Sequence, residues 1–242
     1  MSTWLFAGPS IWPDARTLPP ATKLAPPIAA GDVYRAVAAG ASRIAIVDGL
    51  FGDQPSVRHK EIMWALERGI PVVGSSSMGA LRAAELLPFG MIGIGRVFAA
   101  FAAGDLERDG DVAVLHAPAY MRWQPLTIAV VDVIARLERA ARRLAIGPHE
   151  LEPWIVAARA IPFRERTTER IGEALRGCTG LHAGAAELAA LALDDTYSQK
   201  YHDALALIDA LHSPTAAPLA TNRPPTVFEE AARRDATPDS DG

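Results

Sequence analysis

The chain has 242 residues, of which 50% are hydrophobic and 21% charged, and its formal net charge is −4 at pH 7. This composition is typical of a globular protein. The basic residues form no continuous stripe, so the sequence gives no support for a nucleic-acid partner, whose phosphates require clustered cations. Cys178 is the only cysteine, which excludes an intramolecular disulfide and a cysteine-based metal cluster.

The N-terminal apolar run is short. Residues 4–7 are ended by Gly8-Pro9, and no basic segment precedes them. We therefore expect a first strand and not a signal peptide. No stretch approaches the ~18 consecutive apolar residues of a membrane span. The sequence therefore predicts a cytoplasmic protein with no membrane partner.

The first half of the chain alternates strand-like and helix-like segments. In chain order, we predict strands at 4–7, near 23–24, at 43–48, at 70–73 and at 111–115. Between them we predict helices at 33–39, 55–68, 80–87 and 96–103, the first with Asp32 as its N-cap. This alternation predicts an α/β fold, in which a Rossmann-like parallel sheet has helices on both faces.

The second half is predicted to be a helical C-terminal extension. Its helices are expected at 126–144, 151–160, 168–176, 185–193 and 198–211. We divide the chain into an α/β core over residues 1–120, the extension over 121–212, and a tail over 213–242 whose composition favours disorder. Four arginines share one side of the first of these helices and are expected to form a solvated face: Arg136, Arg139, Arg142 and Arg143.

Several polar residues follow predicted strands. They are Ser10, Asp48, the serines at 75–77, and His116. In a parallel α/β sheet, the functional crevice lies beyond the carboxyl ends of the strands. If the helix over 55–68 is the crossover between the strands on either side of it, those strands are neighbours. We therefore expect these polar residues to share one rim of the sheet.

The turn Ser75-Ser76-Ser77-Met78-Gly79 connects a predicted strand with a predicted helix and has three interpretations. Ser77 could be a nucleophile on a strand-to-helix elbow, with the Met78 and Gly79 amides as an oxyanion site. The serines and amides could instead hold an anion, such as a carboxylate, a thiocarboxylate or a phosphate. In the third interpretation, the serines only cap the helix.

His59 is the candidate base. It shares a helix face with Ile62, Met63 and Leu66, which predicts that it points toward the sheet. The positive end of the helix would favour the neutral imidazole. The alternative is a structural histidine that bonds to a loop carbonyl.

The other candidates have equally simple alternatives. Asp48 could orient a base or form a turn, and His116 could be a second base or a loop residue. Further candidates for substrate contacts, each with an alternative as a cap, a helix-surface residue or an ion-pair partner, are Ser10, Asp32, Tyr34, Arg35 and Arg82. The histidines are dispersed and the glycines do not form a dinucleotide fingerprint. We therefore predict neither a metal nor a cofactor.

The same segments resemble the TfuA family, whose members are encoded beside YcaO enzymes. The resemblance covers about the first half of the chain, and the run Ser-Ser-Met-Gly-Ala-Leu-Arg-Ala-Ala-Glu-Leu at 76–86 is its most specific part. Ser75 is a departure, since alanine is expected there. The other segments that carry the resemblance are 8–10, 26–27, 31–36, 46–51, 59–62, 64–66, 89–91, 93–95 and 111–116.

The resemblance implies a role beside a YcaO enzyme in peptide-backbone thioamide formation. The YcaO enzyme uses ATP to activate an amide oxygen, which a sulfur nucleophile then displaces. The TfuA-like protein would deliver that sulfur or enhance its partner. The implied partners are thus the YcaO enzyme, a ThiS-like sulfur-carrier protein and the precursor peptide.

These implications lead to a specific hypothesis. The thiocarboxylate tail of the carrier would dock at Ser77, whose attack, with His59 as base, would expel hydrosulfide. Lys60 would steer the anionic tail. One alternative is a non-catalytic module that binds the carrier or the peptide and stimulates the YcaO enzyme. A third is a serine hydrolase that acts on small molecules.

Overall fold

A computed structural model describes residues 2–13, 17–52, 54–178 and 184–212. Five parallel strands form one sheet, in the order β2-β1-β3-β4-β5. Leu5 lies opposite Leu24 on one side and Ala45 on the other. Because all the strands are parallel, their carboxyl ends lie at one edge of the sheet. The strands are β1 (Thr3–Phe6), β2 (Thr22–Ala25), β3 (Arg43–Ile46), β4 (Val72–Ser75) and β5 (Ile92–Ile94).

Three helices from the first half of the chain cover one face of the sheet. They are α1 (Asp32–Ala38), α2 (His59–Glu67) and α3 (Met78–Glu85). A fourth helix, α4 (Arg96–Ala103), buries Val97 and Phe101 in a separate core with residues of α3 and of the second half of the chain. The core on this face joins Ile44 and Ile46 of β3 to Ile62 of α2 and Met78 of α3, all of which are fully buried or nearly so. The alternation of short apolar strands with amphipathic helices produces this arrangement, because each helix buries its apolar stripe against the sheet.

The second half of the chain is helical. It contains α5 (Val130–Leu144), α6 (Glu152–Arg159), α7 (Thr168–Gly177), α8 (Ala185–Asp194) and α9 (Gln199–Leu211). Helices α5 to α8 share a core that includes the fully buried Trp154. Helix α9 instead packs on the second face of the sheet, where Leu207 and Ile208 join the core of Leu5 and Val47.

The predicted fold class is therefore confirmed: a parallel sheet has helices on both faces, and the C-terminal part is helical. The second face, however, is covered by the last helix of the predicted extension. The division at residue 120 stays a prediction, and the tail over 213–242 lies outside the described residues. In the ranges that the structure covers, no helix has the length and apolarity needed to cross a membrane.

Two predictions need correction, and one strand was missed. The strand expected at 111–115 is absent from this described segment, where a short 3-10 turn (Asp109–Asp111) and a single bridge between His116 and Pro125 are found. Strand β5 was missed because it has only three residues with a glycine at its centre. Gly93 is required there, since a Cβ would lie 2.0 Å from the ring of Phe98. Asp32 is the first residue of α1 and not its N-cap.

Candidate functional site

The serine turn is buried, and two of its hydroxyls hold α9. Ser75 Oγ donates to the carbonyl of Asp203 at 2.8 Å, and Ser76 Oγ donates to the carbonyl of Lys200 at 2.8 Å. Because their donors are used in this way, these two serines anchor the C-terminal helix to the end of β4. Ser76 has a φ of 69°, which is uncommon for a residue other than glycine.

Ser77 is the third hydroxyl, and its contact is different. It precedes α3, but its side chain makes no capping hydrogen bond. Its Oγ lies 3.4 Å from the carbonyl oxygen of Val112, which is a long hydrogen bond. The interpretation as a simple cap therefore does not describe the Ser77 side chain, and this hydroxyl is the least engaged of the three.

Gly79 has a packing role that removes it from the expected oxyanion site. Its amide donates to the carbonyl of Val47 at 3.1 Å. A Cβ at this position would lie 1.8 Å from the carbonyl oxygen of Ile46, so only glycine lets α3 approach β3 this closely. Met78 begins α3 with its side chain buried in the core. The Gly79 amide is thus not free to hold an oxyanion.

His59 does not point toward the sheet, contrary to the expectation. Its side chain is 46% exposed, and Nε2 lies 2.8 Å from Glu85 Oε2. Glu85 ends α3, which has eight residues, so it lies about 12 Å along the axis from the end that follows Ser77. The structure does not bring the imidazole to the serine turn.

His59 is exposed because α2 turns a different set of residues toward the sheet. Its buried residues are Glu61, Ile62 and Ala65, and the Glu61 carboxylate accepts a hydrogen bond from the Gly31 amide at 2.7 Å. With these residues on the inward face of α2, His59 lies at the side of the helix, where its side chain is exposed. A capping role for Glu61 could have been read from its position in the first turn.

The remaining candidates on α1, α2 and α3 lie on the surface away from the serine turn. Lys60 is exposed, and Tyr34 is 41% exposed, with its ring edge-on to Trp64. Asp32 accepts a hydrogen bond from the Ala29 amide and pairs with Arg35. Arg82 donates to the Val57 carbonyl and pairs with Glu85, as its spacing suggested.

Asp48 and Ser10 meet at the carboxyl ends of β3 and β1. Asp48 is 2% exposed. Its carboxylate accepts hydrogen bonds from the amides of Gly8 and Ser10 at 2.8 and 3.0 Å and from Ser10 Oγ at 2.6 Å. In this strand order, the direction of winding reverses between β1 and β3, which is where ligands bind in such sheets. The two residues therefore mark the expected crevice.

His116 lies at another part of this edge. Its Nδ1 is 3.0 Å from the carbonyl oxygen of Ala117, and its ring lies edge-on to Trp123. It lines a small cavity of about 200 Å³ together with Gly49 and Phe51. None of the contacts described for His116 involves the serine turn.

A large cavity of about 760 Å³ lies beside the crevice, between the two halves of the chain. Pro9, Ser10 and Trp12 line it from the loop after β1. Two of the arginines of α5 expected on a solvated face line it from the other side and are half-buried, Arg136 and Arg139. Arg142 and Arg143 are exposed, so that expectation was wrong for the first two.

Lys200 also lines this cavity and was not singled out from the sequence. It is 3% exposed, and its Nζ donates to the Val112 carbonyl at 2.7 Å. Burial lowers the pKa of the Lys200 ammonium, against the opposing charges of Asp48 and Asp132. Apolar residues at i+4, i+7 and i+11 along α9, Ala204, Leu207 and Leu211, place Lys200 on the buried face. That periodicity could have identified it.

Asp132 of α5 lies beside the lysine, and Arg136 lies one turn further along the same helix. Asp132 accepts hydrogen bonds from the Lys200 amide at 3.1 Å and from Ser198 Oγ, and burial raises the pKa of its carboxyl. Arg136 donates through Nε to the Tyr197 carbonyl at 2.8 Å, and burial lowers the pKa of its guanidinium. The buried Lys200 amine therefore lies near two carboxylates, those of Asp48 and Asp132.

The sequence that forms this site was compared with known protein families. The model of the TfuA-like protein family matches residues 48–167, about half of the chain. The match includes Asp48, the serine turn and the α5 residues of the cavity, and it stops before Lys200. The search of curated proteins gave no match. From the sequence of its central half, the chain belongs to the TfuA-like protein family.

Proposed function

We propose that this protein works beside a YcaO enzyme in peptide-backbone thioamide formation, and that it releases sulfide from a thiocarboxylated sulfur-carrier protein. Membership of the TfuA-like family is consistent with a partner of YcaO enzymes in general. The release of sulfide by hydrolysis that depends on Ser77 is the specific part of the proposal.

The observation that carries the proposal is the cavity of about 760 Å³ beside the β1/β3 crevice. A carrier tail is thin and ends in an anion, so it needs a deep opening with cations inside. The cavity is lined by the half-buried Arg136 and the buried Lys200. A buried cation acts on a bound anion more strongly than one in bulk water. These features support binding of a thiocarboxylate tail.

The proposed chemistry has two steps. First, Ser77 Oγ forms a bond to the thiocarboxylate carbon, the carbon–sulfur bond breaks, and the serine proton leaves with sulfur as hydrosulfide. Water then adds to the acyl-serine ester, the bond to Ser77 Oγ breaks, and the products are the Ser77 hydroxyl, the carrier carboxylate and one proton. The net reaction consumes one water and yields one hydrosulfide for the YcaO enzyme.

A direct test incubates the purified full-length protein with a thiocarboxylated carrier and follows both free sulfide and the mass of the carrier. We expect wild-type protein to release sulfide and Ser77→Ala to reduce the rate by at least about 10²-fold, as for loss of a nucleophile. The matched control is Ser56→Ala, because Ser56 Oγ also donates to a backbone carbonyl, that of Leu50, and none of the contacts described for Ser56 involves the serine turn. Release that Ser77→Ala leaves unchanged would remove this serine from the mechanism.

A second candidate function is a non-catalytic binding module, and one observation favours it. Ser77 is not among the residues that line the large cavity, and its two neighbours serve to hold α9. In that case the protein would seat the carrier tail or the precursor peptide and stimulate the YcaO enzyme. Thioamide yield that rises with added protein when sulfide is supplied directly, without any release from the carrier, would select this candidate.

A further inference from the structure

Four arginines of α5 form a row that leads from the large cavity to the surface. Arg136 and Arg139 line the cavity of about 760 Å³, and Arg139 also lines an open depression of about 250 Å³ together with Arg142 and Arg143. The exposed fraction of the side chain rises along the row, from 36% at Arg139 to 62% at Arg142. Arg139 therefore lies where the cavity meets the surface.

The spacing of the arginines in α5 produces this row. The helix buries Val133, Leu137 and Ala140 in the core that α5 to α8 share, and the arginines occupy another side. With 3.6 residues per turn, positions 136, 139 and 143 lie within about 60° of each other around the helix. The rise from Arg136 to Arg143 is about 10 Å along the axis. The row is thus one continuous surface and not a set of scattered cations.

Carboxylates balance the inner end of the arginine row. Asp132 and Asp195 lie near Arg136. Asp195 also accepts a hydrogen bond from Arg139 Nε at 2.7 Å, and the Arg139 guanidinium lies 4.4 Å from the centre of the Tyr197 ring. These contacts hold the inner arginines in place at the cavity.

The outer end of the row carries an excess of positive charge. Arg142 approaches Glu138 at 3.9 Å, but Glu138 pairs more closely with Arg96, at 2.9 Å. Arg143 is exposed, and among the residues that the structure describes no carboxylate forms an ion pair with it. Because the whole chain has a net charge of −4, this positive surface is a local feature, and it suits an acidic partner.

We propose that Arg142 and Arg143 form the docking surface for an acidic face of the sulfur-carrier protein, and that the arginine row guides the anionic tail of the carrier into the cavity. The inference rests on the proposed release of sulfide from this carrier. A tail of about three extended residues, at roughly 3.3 Å each, spans the distance from Arg143 to Arg136. The body of one partner can therefore rest on the outer arginines while the end of its tail meets the inner ones.

Exposed charges of this kind act mainly on association. A single exposed ion pair contributes little to stability or affinity, whereas complementary charged surfaces raise association rates and exclude partners of the wrong charge. Salt screens the attraction, with a Debye length of about 10 Å at 0.1 M ionic strength. We therefore expect the outer arginines to set the carrier concentration that the protein needs, and not the rate of the chemical step.

The test measures binding of the carrier, in its carboxylate form, to the full-length protein by titration calorimetry. We expect Arg142→Glu combined with Arg143→Glu to raise the Kd by about 10-fold or more at low ionic strength, and the difference to shrink in high salt. The matched control is Arg58→Glu combined with Arg68→Glu, which changes the net charge equally at two exposed positions that flank α2. It should stay within about twofold of wild type.

A milder pair of changes separates docking from an effect on the helix. Cations in the last turn stabilise a helix, so the two glutamates also act on α5 itself. Arg142→Gln combined with Arg143→Gln removes the charges without reversing them, and we expect a rise in Kd of about threefold, with thermal unfolding close to that of wild type. An unchanged Kd in both folded variants overturns the docking surface.

A short thiocarboxylated peptide that reproduces only the carrier tail separates the body of the carrier from its tail. Since the peptide has no acidic face, we expect wild type and the Arg142→Glu, Arg143→Glu variant to release sulfide from it with the same kcat/KM. With the whole carrier, the variant should show a higher KM and an unchanged kcat. Equal losses with the peptide and the carrier would show that the arginines act on the tail alone and would overturn docking of the body.

The binding measurement does not depend on hydrolysis, so the two proposals can fail separately. If wild type releases no sulfide but binds the carrier, and the outer arginine variants lose affinity, the hydrolysis fails and the docking surface is supported. If wild type releases sulfide and the variants bind the carrier as wild type does, the docking surface fails and the hydrolysis is unaffected. Binding of the precursor peptide in place of the carrier, with the same dependence on Arg142 and Arg143, overturns the carrier as the occupant.

Discussion

The two halves of the chain contribute different side chains to the region around the cavity. The α/β half provides small polar groups that are already bonded, such as Asp48 with its three donors and Ser76 with the Lys200 carbonyl. The helical half provides two long cationic side chains, Arg136 and Lys200, each of which donates one hydrogen bond to a backbone carbonyl among the described residues. Apart from Ser77, the polar rim of the sheet therefore mainly holds the structure together, and the cations that can meet a ligand come from the helices that pack on it.

The largest effect on stability should come from a change in the close backbone contact between α3 and β3. Gly79→Ala would place a Cβ 1.8 Å from the Ile46 carbonyl oxygen, and neither backbone can move without separating α3 from β3. We expect a loss of more than about 3 kcal/mol in the free energy of unfolding, or no folded protein. Urea unfolding measures this loss.

The matched control for this change is Gly177→Ala at the end of α7. A Cβ there meets nothing within 4 Å, so the stability should stay the same or rise by up to about 1 kcal/mol. Equal stability losses at Gly79 and Gly177 would mean that the contact between α3 and β3 is not the reason for the glycine.

Asp48→Ala should have the next largest effect, again on stability. It leaves the amides of Gly8 and Ser10 and the Ser10 hydroxyl without their buried acceptor, and we expect a cost of about 3 kcal/mol. Ser10→Ala removes one of these three bonds and should cost about 1 kcal/mol. Comparable urea midpoints for the two variants would contradict the view that the Asp48 carboxylate stabilises this region through all three hydrogen bonds.

The smallest stability effect tests the helical half. Ser198 and Thr167 are equivalent caps, because each side-chain oxygen accepts from a backbone amide in the first turn, of α9 and α7 respectively. Either change to alanine should cost about 1 kcal/mol. Ser198 also donates to Asp132 beside Lys200, so only Ser198→Ala should slow sulfide release, by severalfold. A similar rate in both variants would show that α9 acts only as a cover for the sheet.

The sequence predicted most of the elements, for identifiable reasons. The β-branched run of β3 and the apolar stripes of α4 and α9 are long enough to determine their own structure. Where the local signal was misleading, tertiary contacts decided. The apolar run at 111–115 resembles a strand, but it lies among the helices, with Val112 and Ala113 buried and without a strand partner among the described residues.

The candidate site was predicted in part. The positions of Asp48 and the serine turn at one edge of the sheet followed from the strand-to-helix pattern, and β3 and β4 are neighbours as expected. The partners of these residues did not follow. The spacing of Met63 and Leu66 placed His59 on the inward face of α2. The residues that α2 buries are instead Glu61, Ile62 and Ala65.

By itself, the sequence determined the α/β class, the place of the serine turn and the family resemblance, because each of these depends on neighbouring residues and on periodicity. Only the tertiary structure decided what the serines contact. Their partners on α9 are more than a hundred residues away along the chain, and no local pattern encodes which backbone carbonyl a buried hydroxyl will meet. The same holds for Lys200, whose neighbours come from a strand end and a separate helix.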